Sequence, residues 1–354
     1  MSETLKYFVV NAFTTRAFSG NPATVVMVPQ NFLGDSESDA YVNYFQKLSG
    51  EVSNVETAFV LPPDQHKTDY RLRFFTKSKE TTFCGHATIA AAHVLSTEFN
   101  FPSDHIYFST KSGVVVVKCA NRKQFELDLH PTLPLAVAPF DTPAGIQQVW
   151  DALLPALTSG SKAKKELPPI APPSHPSLPP ASIVYHESSM NLILVFDNVA
   201  SILRVSPDSL ELMDAVKKTL GSMNVHKVTI TGSPKIIAQQ AINSTNKNTP
   251  LIANTASVDE EQHWRKYHFV TRLFAPWIGI TEDAVSGATH AILAQYWRSI
   301  PAGKRLKNKK SLLCFQPSPR GGEILINIHG ERVGVAGEAV TICVGCVSST
   351  LSKL

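Results

Sequence analysis

The feature that most constrains the fold is a weak internal repeat. Residues 74–95 read FFTKSKETTFCGHATIAAAHVL, and residues 272–297 read RLFAPWIGITEDAVSGATHAILAQYW. In each segment an apolar run leads through a polar link and a small-residue turn into a helix with apolar residues on every side. Such a helix must be buried. The sequence therefore predicts two similar halves, each built around a buried helix.

Strand-like runs surround both of these helices. They cover 7–13, 24–28, 57–61, 70–75, 113–119 and 125–129 in the first half, and 183–185, 192–196, 227–231, 268–274, 324–328 and 340–344 in the second. Further helical spacing occurs at 41–48 and 146–154, and Pro155 is expected to end the latter helix. Strands wrapped about a buried helix indicate an α+β fold with a curled sheet in each domain.

The domain division follows from these patterns. We predict an N-terminal domain at 1–130 and a C-terminal domain at 131–344, with residues 345–354 returning to the first domain as a strand. Residues 159–180 read SGSKAKKELPPIAPPSHPSLPP, a Pro-rich polar stretch that cannot pack a core. We interpret this stretch as an exposed insertion in the second domain.

Composition excludes several classes of protein. The net charge of +4 is small for 354 residues and the basic residues are dispersed, which argues against a nucleic-acid partner. Apolar runs long enough to span a membrane are missing, so a membrane protein is not expected. Five scattered cysteines fit reduced thiols, and Cys343-Val-Gly-Cys346 is expected to be a strand with two small buried side chains, not a metal site.

The chain ends in Ser352-Lys353-Leu354, which is a peroxisomal address when it stands at the extreme C-terminus. Such a tripeptide is read by a soluble import receptor. We therefore expect a peroxisomal location and this receptor as a partner, with the cytoplasm as the alternative.

The two small-residue turns are the candidate binding elements. Gly85 and Gly287 stand where a loop becomes a helix, and the first turn of a helix presents free amide donors and a positive dipole end. Two such turns would bind a small carboxylate without an arginine. Each also has a structural interpretation, since small residues at a helix start often serve tight packing alone.

Groups that handle protons flank both turns. Cys84 and His86 border the first, and Asp283, Ser286 and His290 lie around the second. His86 at a helix start can project into a cleft, whereas His290 fits a buried core position. Asp283 fits a helix-capping residue as well as a functional one.

Glu56 opens the apolar strand TAFVL, where a carboxylate has no structural purpose. Apolar surroundings disfavour the charged form, so we expect its pKa to be raised toward neutrality, which suits proton transfer near pH 7. An exposed carboxylate at the end of a strand is the alternative.

Taken together, these motifs resemble the PhzF-like (phenazine biosynthesis-like) isomerase family. The matching stretches are NAFTTRAFSGNPATVVMV (11–28), NVETAFVLP (54–62), LRFFTKSKETTFCGHATIAAAHVL (72–95), APWIGITEDAVSGATHAILAQYW (275–297) and QPSPRGGEILINIHGERVGVAGEAVTI (316–342). The resemblance implies a diaminopimelate epimerase-like fold of two similar α+β domains. Each domain would be a curled, mostly antiparallel sheet around a central helix, with the active site between them.

The resemblance also assigns roles to individual residues. Glu56 would shuttle a proton on the substrate, assisted by His86 and Asp283. The substrate carboxylate would be held by the turns, with binding residues Asn21, Gly85, Ser286, Gly287 and Ala288. The implied protein is commonly a homodimer and needs no metal or organic cofactor.

One departure from the family pattern concerns the substrate. Ala288 stands where the phenazine enzyme has a substrate-contacting serine. Two alternatives stay open: epimerisation of a small carboxylate by one base, and a non-catalytic metabolite-binding protein of this fold. A two-cysteine racemase is disfavoured, because the position that matches Cys84 in the second turn is Ser286.

Overall fold

The computed structural model describes residues 3–32, 38–53, 55–63, 69–130, 136–137, 142–159, 180–197, 199–221, 223–234 and 263–349. The chain forms two compact units. The first comprises 1–131, 284–291 and 319–354, and the second comprises 132–283 and 292–318. In the described residues, no helix is long and apolar enough to cross a membrane.

The first unit contains a closed barrel of eight strands. The strands of this unit are β1 Glu3–Ala12, β2 Asn21–Met27, β3 Thr57–Leu61, β4 Tyr70–Phe75, β5 Glu80–Thr81, β6 His105–Thr110, β7 Gly113–Ala120, β8 Gln124–Leu129, β15 Gly322–His329 and β16 Arg332–Ser349. The barrel order is β1, β2, β3, β4, β6, β7, β8 and β16, and the barrel closes because β1 pairs with both β2 and β16. β5 and β15 pair with β4 and β16 outside this ring.

Among the described residues, two α-helices lie wholly within the first unit. Helix α1 (Asp39–Val52) packs Tyr44, Phe45 and Leu48 in a core cluster with Phe59 and Phe75 of the barrel wall. Helix α2 (Gly85–His93) contacts β1, β2, β3, β7, β8 and β16, and all of its residues from Ala87 onward are buried. Its small side chains allow the strands to close around it, and a π-helical turn, Val94–Glu98, follows.

The described residues of the second unit form a six-stranded sheet with helices packed on it. Its elements are β9 Ala136–Val137, α3 Pro143–Thr158, β10 Ser182–His186, β11 Asn191–Phe196, α4 Val199–Arg204, α5 Ser209–Leu220, β12 Lys227–Gly232, β13 Phe269–Phe274 and β14 Ser311–Gln316. The strand order is β9, β10, β11, β12, β13 and β14. Helices α3, α4 and α5 share one core cluster with the sheet, which includes Trp150, Leu212 and Phe274.

Helix α6 (Gly287–Ser299) has residues 287–291 in the first unit and the rest in the second. In the second unit its Trp297 donates the indole N–H to the hydroxyl of Thr231 in β12, at 3.2 Å. A short helix α7 (Lys304–Lys307) precedes β14.

Strand pairing confirms the predicted repeat. In the first unit, β1–β2 and β3–β4 are antiparallel, whereas β2–β3 and β4–β6 are parallel. The same alternation runs through β10–β11, β11–β12, β12–β13 and β13–β14. In both units the small-residue helix connects the two strands of the last, parallel pair. The α+β class with similar halves is therefore confirmed.

Several expectations need correction. Helix α3 continues through Pro155 to Thr158, and Ala156 and Leu157 are buried, so packing holds its last turn in place. Sequence patterns also did not indicate β6, β14, α4 or α5. Cys343 and Cys346 do lie in a strand, but both are exposed rather than buried.

The boundaries of the two units differ from those of the two predicted domains. Residues 284–291 and 319–344 were expected in the second domain, but they belong to the first unit. For residues 319–344 the reason is that β16 pairs with β8 and β1. Most of the Pro-rich stretch, residues 160–179, lies outside the described residues, as do Asn54 and the C-terminal Ser352-Lys353-Leu354.

Candidate active site

The first turn forms the uncapped start of α2. Cys84 occupies the N-cap position in an extended conformation, and among the described residues no side chain caps the helix there. Thr88 instead bonds backward, donating both its N–H (3.0 Å) and its hydroxyl (2.8 Å) to the carbonyl of Cys84. The amides of the first turn are thus left available to an anion.

Three side chains with proton-carrying groups meet at this turn. The Glu56 carboxylate Oε2 lies 3.5 Å from Nε2 of His86. Cys84 Sγ lies 3.4 Å from Nδ1 and 3.9 Å from Nε2 of the same ring. Glu56 is 25% and His86 12% exposed, so both side chains are partly accessible. The β-sheet fixes Glu56, because its carbonyl accepts the N–H of Thr24 at 2.9 Å.

The pair Glu56 and His86 is electrostatically coupled. Burial opposes ionisation of Glu56, but the hydrogen bond and charge of His86 outweigh it, and the pKa of Glu56 falls below its ordinary value. Burial likewise opposes protonation of His86, but Cys84 and Glu56 outweigh it and raise the pKa of His86 well above its ordinary value. Near neutral pH the pair is a carboxylate beside an imidazolium.

This result corrects the expected direction for Glu56. The apolar strand predicted a raised pKa, whereas the pKa is lowered because His86, 30 residues later, supplies a positive charge at 3.5 Å. Cys84 is half-buried and faces His86. Local sequence could not reveal either contact, since both depend on how the start of the helix is placed in the fold.

The second turn has a different chemistry. Ser286 precedes α6 and caps it: its hydroxyl accepts the N–H of Thr289 at 3.4 Å and donates to the Thr289 hydroxyl at 2.9 Å. The cap of α6 is therefore Ser286 and not Asp283. His290 is fully buried and its Nδ1 donates to the Ser286 carbonyl at 2.7 Å, which confirms its interpretation as a core histidine. Ala288 is exposed.

Asn21 connects the second turn to the barrel. Its amide Nδ2 donates to the carbonyl of Val285 at 2.8 Å. The ring of Phe13, whose φ of 64° is rare for a bulky residue, packs beneath Gly287. A Cβ on Gly287 would lie 3.3 Å from that ring, so glycine at this position permits the contact.

The two glycine turns pack against neighbouring strands of the same barrel. A Cβ on Gly85 would lie 3.5 Å from Leu127 of β8, and a Cβ on Gly287 would lie 3.1 Å from Val335 of β16. Leu127 and Val335 are cross-strand partners and so point to the same face of the sheet. The first unit therefore brings together both glycine turns, the feature that sequence spacing could not establish.

Asp283 belongs to the second unit. Its N–H donates to the Leu273 carbonyl at 2.9 Å, and its own carbonyl accepts the side-chain amide of Gln316 at 2.6 Å. Lys227, the first residue of β12, is near enough to feel its charge: burial lowers the pKa of Lys227 and the Asp283 carboxylate opposes this. Lys227 was not among the predicted site residues, although it opens the otherwise apolar strand KVTITG and was visible in the sequence for that reason.

A buried ion pair precedes each turn. Arg73 binds Glu80 with two bonds of 2.8 and 2.9 Å, and Arg272 binds Glu282 with bonds of 2.7 and 2.9 Å. Each glutamate stands five residues before the glycine of its turn. These pairs anchor the polar links that lead into the two helices. The glutamates stand at matching distances from the two glycines in the sequence, whereas Arg73 stands 12 residues before Gly85 and Arg272 stands 15 residues before Gly287.

Among the described residues, one group of side chains is compact enough to hold a metal ion. One ligand atom from each of Glu56, Cys84 and His86 lies within 4.8 Å of the others. Thiolate and imidazole ligands favour a borderline or soft ion such as Zn²⁺ over Mg²⁺ or Ca²⁺.

Comparison with protein-family models gives one match over nearly the whole chain. The model for phenazine biosynthesis-like proteins, PhzC-PhzF, matches residues 10–345. The chain belongs to the phenazine biosynthesis-like family. The family resemblance inferred from the motifs is thereby confirmed.

Curated relatives of this PhzF-like chain include human and bacterial proteins. The human phenazine biosynthesis-like domain-containing protein is 29% identical over 98% of this chain and 99% of its own length. A Pseudomonas aeruginosa protein named as an uncharacterised isomerase is 29% identical over 96% of this chain and 97% of its own.

Solved structures agree on the fold. A PhzF-family phenazine biosynthesis protein of Enterococcus faecalis has a TM-score of 0.67 at 25% identity, covering 98% of this chain and 99% of its own. A PhzC/PhzF protein of Clostridium difficile has a TM-score of 0.66 at 23% identity, covering 97% and 99%.

Proposed function

We propose that this PhzF-like protein is an isomerase that moves a proton on a small carboxylate substrate, with Glu56 as the group that removes and returns it. The observation that carries the proposal is the half-buried Glu56–His86 pair, 3.5 Å apart, at the uncapped start of a buried helix. Membership of the family and the isomerase name of its Pseudomonas aeruginosa relative support the reaction class.

The chemistry follows from the groups at the turn. The Glu56 carboxylate takes a proton from a substrate carbon, and the electron pair of the broken C–H bond moves into the adjacent π system. Glu56 then delivers this proton, or a solvent proton that has replaced it on the carboxyl group, to a second carbon, so that atoms and electrons balance. The His86 imidazolium keeps Glu56 ionised before the reaction and stabilises negative charge that develops on the substrate.

Substrate binding uses the helix starts. We propose that the amides at Gly85 hold the substrate carboxylate, with Asn21, Ser286, Gly287 and Ala288 as further binding residues. Asp283 is proposed to assist the proton transfer. Ala288 carries no hydroxyl, which favours a substrate different from that of the phenazine enzyme.

The test is proton exchange in D₂O. A panel of dihydroaromatic and amino-acid carboxylates is incubated with wild type and with Glu56→Gln, and deuterium entry and new isomers are followed by NMR and mass spectrometry. A general base contributes about 10²–10⁴-fold, so Glu56→Gln should lose at least about a hundredfold of the rate. His86→Asn should lower the rate as well.

Glu126→Gln is the matched control. Glu126 also pairs with a histidine of the first unit, His329, at 2.7 Å, but outside the candidate site, and His329 is exposed. Its substitution should leave exchange unchanged. Equal exchange by wild type and Glu56→Gln would overturn the role of Glu56. Silence of wild type toward ligands that demonstrably bind would favour a metabolite-binding protein.

A further inference from the structure

The internal duplication gives Glu56 a counterpart in the second unit. In the first unit, Thr57 of β3 lies opposite the last residue of β4. In the second unit, Val228 of β12 lies opposite the last residue of β13. Thr57 and Val228 are therefore equivalent positions, and the residue immediately before Val228 is Lys227. Lys227 thus occupies the position in the second unit that Glu56 occupies in the first.

The two buried ion pairs support this alignment. Arg73 stands two residues before the end of β4, and Arg272 stands two residues before the end of β13. Each arginine binds a glutamate that lies five residues before the glycine of its turn. The equivalence of Glu56 and Lys227 therefore rests on strand register and on side-chain contacts.

Both residues meet an opposite charge in their own unit. Glu56 lies 3.5 Å from His86. In the second unit, Asp283 donates its N–H to the Leu273 carbonyl of β13, which places it at the same end of the sheet as Lys227. Lys227 is half-buried, and burial lowers its pKa while the Asp283 carboxylate opposes this change. The signs are inverted between the units, because the residue that precedes the shared strand position is an anion in the first and a cation in the second.

The half-buried lysine requires a compensating anion, because removing an ammonium from water costs free energy. The other cation of β12 and β13, Arg272, is occupied by Glu282 through bonds of 2.7 and 2.9 Å. Lys227 is therefore the cation of these two strands that remains for Asp283. The backbone of Asp283 is fixed by hydrogen bonds at its N–H and its carbonyl, so its carboxylate stays at this end of the sheet.

We propose that Lys227 is a positioning residue for Asp283: its ammonium keeps the Asp283 carboxylate ionised and oriented, as His86 keeps Glu56 ionised in the first unit. The ion pair itself does not rest on the proposed function. Its part in the reaction does, because there Asp283 is proposed to assist the proton transfer. Lys227 acts through Asp283 and does not itself take up or deliver the substrate proton.

The first test is an NMR titration of the Asp283 carboxyl carbon in the full chain, with the signal assigned by its loss in Asp283→Asn. An opposite charge within about 4–6 Å lowers a carboxyl pKa by about 1–3 pH units, so Lys227→Met should raise the pKa of Asp283 by at least about 1 pH unit. Lys227→Arg keeps the charge and should keep this pKa low.

Lys310→Met is the matched control, because it removes the same charge at the other end of the sheet. The exposed Lys310 directly precedes β14, which runs parallel to β13, whereas Asp283 lies at the end of β13. This control should leave the pKa of Asp283 unchanged. An equal pKa in wild type and Lys227→Met, or an equal rise in Lys310→Met, would overturn the pairing.

A second variant decides if Lys227→Met does not fold, as judged by circular dichroism. In Asp283→Asn the charge that opposes the effect of burial is gone, so the pKa of the Lys227 ammonium should fall. An unchanged pKa of Lys227 in this variant would overturn the pairing.

Deuterium exchange tests the part that rests on the proposed function. Asp283 assists as a carboxylate, so Lys227→Met should move the acidic limb of the pH–rate profile to higher pH. A rise of about 1 pH unit lowers the rate on that limb about tenfold at a given pH, and Lys227→Arg should restore most of it. Adding Lys227→Met to Asp283→Asn should cost no further rate, and an additional loss in the double variant would overturn the positioning role.

The two tests separate this inference from the proposed function. Wild type that catalyses no exchange would refute the proposed function and leave the ion pair to be decided by the titration. A raised pKa of Asp283 in Lys227→Met with a wild-type rate at every pH would refute the part of Lys227 in the reaction.

Discussion

Acidification should destabilise the first unit through His93, at the end of the barrel helix α2. His93 is 7% exposed and its Nε2 lies 3.0 Å from the Thr341 hydroxyl. The Thr341 hydroxyl donates its hydrogen to the Glu98 carboxylate at 2.9 Å. It therefore accepts a hydrogen bond from His93, and the proton of the neutral imidazole is on Nε2. Nδ1 is buried with no hydrogen-bond partner among the described residues. A second proton would therefore create a buried donor without an acceptor.

The magnitude follows from the pKa of His93. Burial lowers this pKa from 6.5 to about 4, although the Glu98 charge partly opposes the effect. Between pH 6.5 and pH 4 the unfolded chain binds more protons than the folded one, so stability is lost as the pH falls. A difference of about 2.5 pH units at 1.36 kcal/mol each costs about 3 kcal/mol. This is a large share of a typical stability of about 5–15 kcal/mol.

The assay compares His93→Gln with wild type in urea unfolding at about pH 7 and about pH 4. The introduced glutamine can still donate to Thr341 but does not titrate, so the variant should lose about 3 kcal/mol less on acidification. His130→Gln, at an exposed histidine, is the control and should keep the acid sensitivity of wild type. The reasoning is refuted if His93→Gln is as acid-sensitive as wild type, or if NMR finds the His93 ring titrating at its ordinary pKa of about 6.5.

Three further predictions test the turns, the assembly and the address. The Cβ introduced by Gly85→Ala makes only ordinary van der Waals contacts, so this variant should keep a melting temperature near that of wild type but bind carboxylates less well. The Cβ introduced by Gly287→Ala would lie 3.1 Å from Val335, so the free energy of unfolding measured in urea should fall by about 1–3 kcal/mol. Light scattering after size exclusion should give a homodimer of twice the 38.6 kDa chain mass. A fluorescent fusion ending in Ser352-Lys353-Leu354 should enter peroxisomes, and deletion of the tripeptide should leave it in the cytoplasm.

The fold was predictable from the sequence where one periodicity dominates. The apolar runs at 57–61 and 70–75 became β3 and β4 with the same bounds, and the all-apolar pattern after Gly85 correctly indicated a buried helix. Strand β6 was not predicted because only three of its six residues, Ile106, Tyr107 and Phe108, are apolar, and polar residues flank them on both sides. The extent of β16 could not be predicted from the sequence. This strand has 18 residues and pairs with three other strands in turn, so no local signal marks its boundaries.

The candidate site was predictable as a set of residue types but not as an arrangement. Residue chemistry singled out Glu56 and His86, yet the sign of the Glu56 pKa shift depends on a contact between residues 30 positions apart. The contact of Cys84 with His86 could not be predicted for the same reason, since the orientation of Cys84 depends on the N-cap geometry of α2. Composition and spacing contain no information about such tertiary contacts.

The internal duplication itself argues for chemistry by one base. Matching the turns on their glycines places Ser286 against Cys84 and Ala288 against His86. The hydroxyl of Ser286 caps its helix, and Ala288 has no proton to give, so the second turn keeps the shape of the first without its acid–base groups. A racemase that deprotonates opposite faces of a carbon needs a base on each turn. Here only the first turn has acid–base groups, so in the proposed mechanism Glu56 would return a proton on the side from which it took it, which favours isomerisation over two-base racemisation.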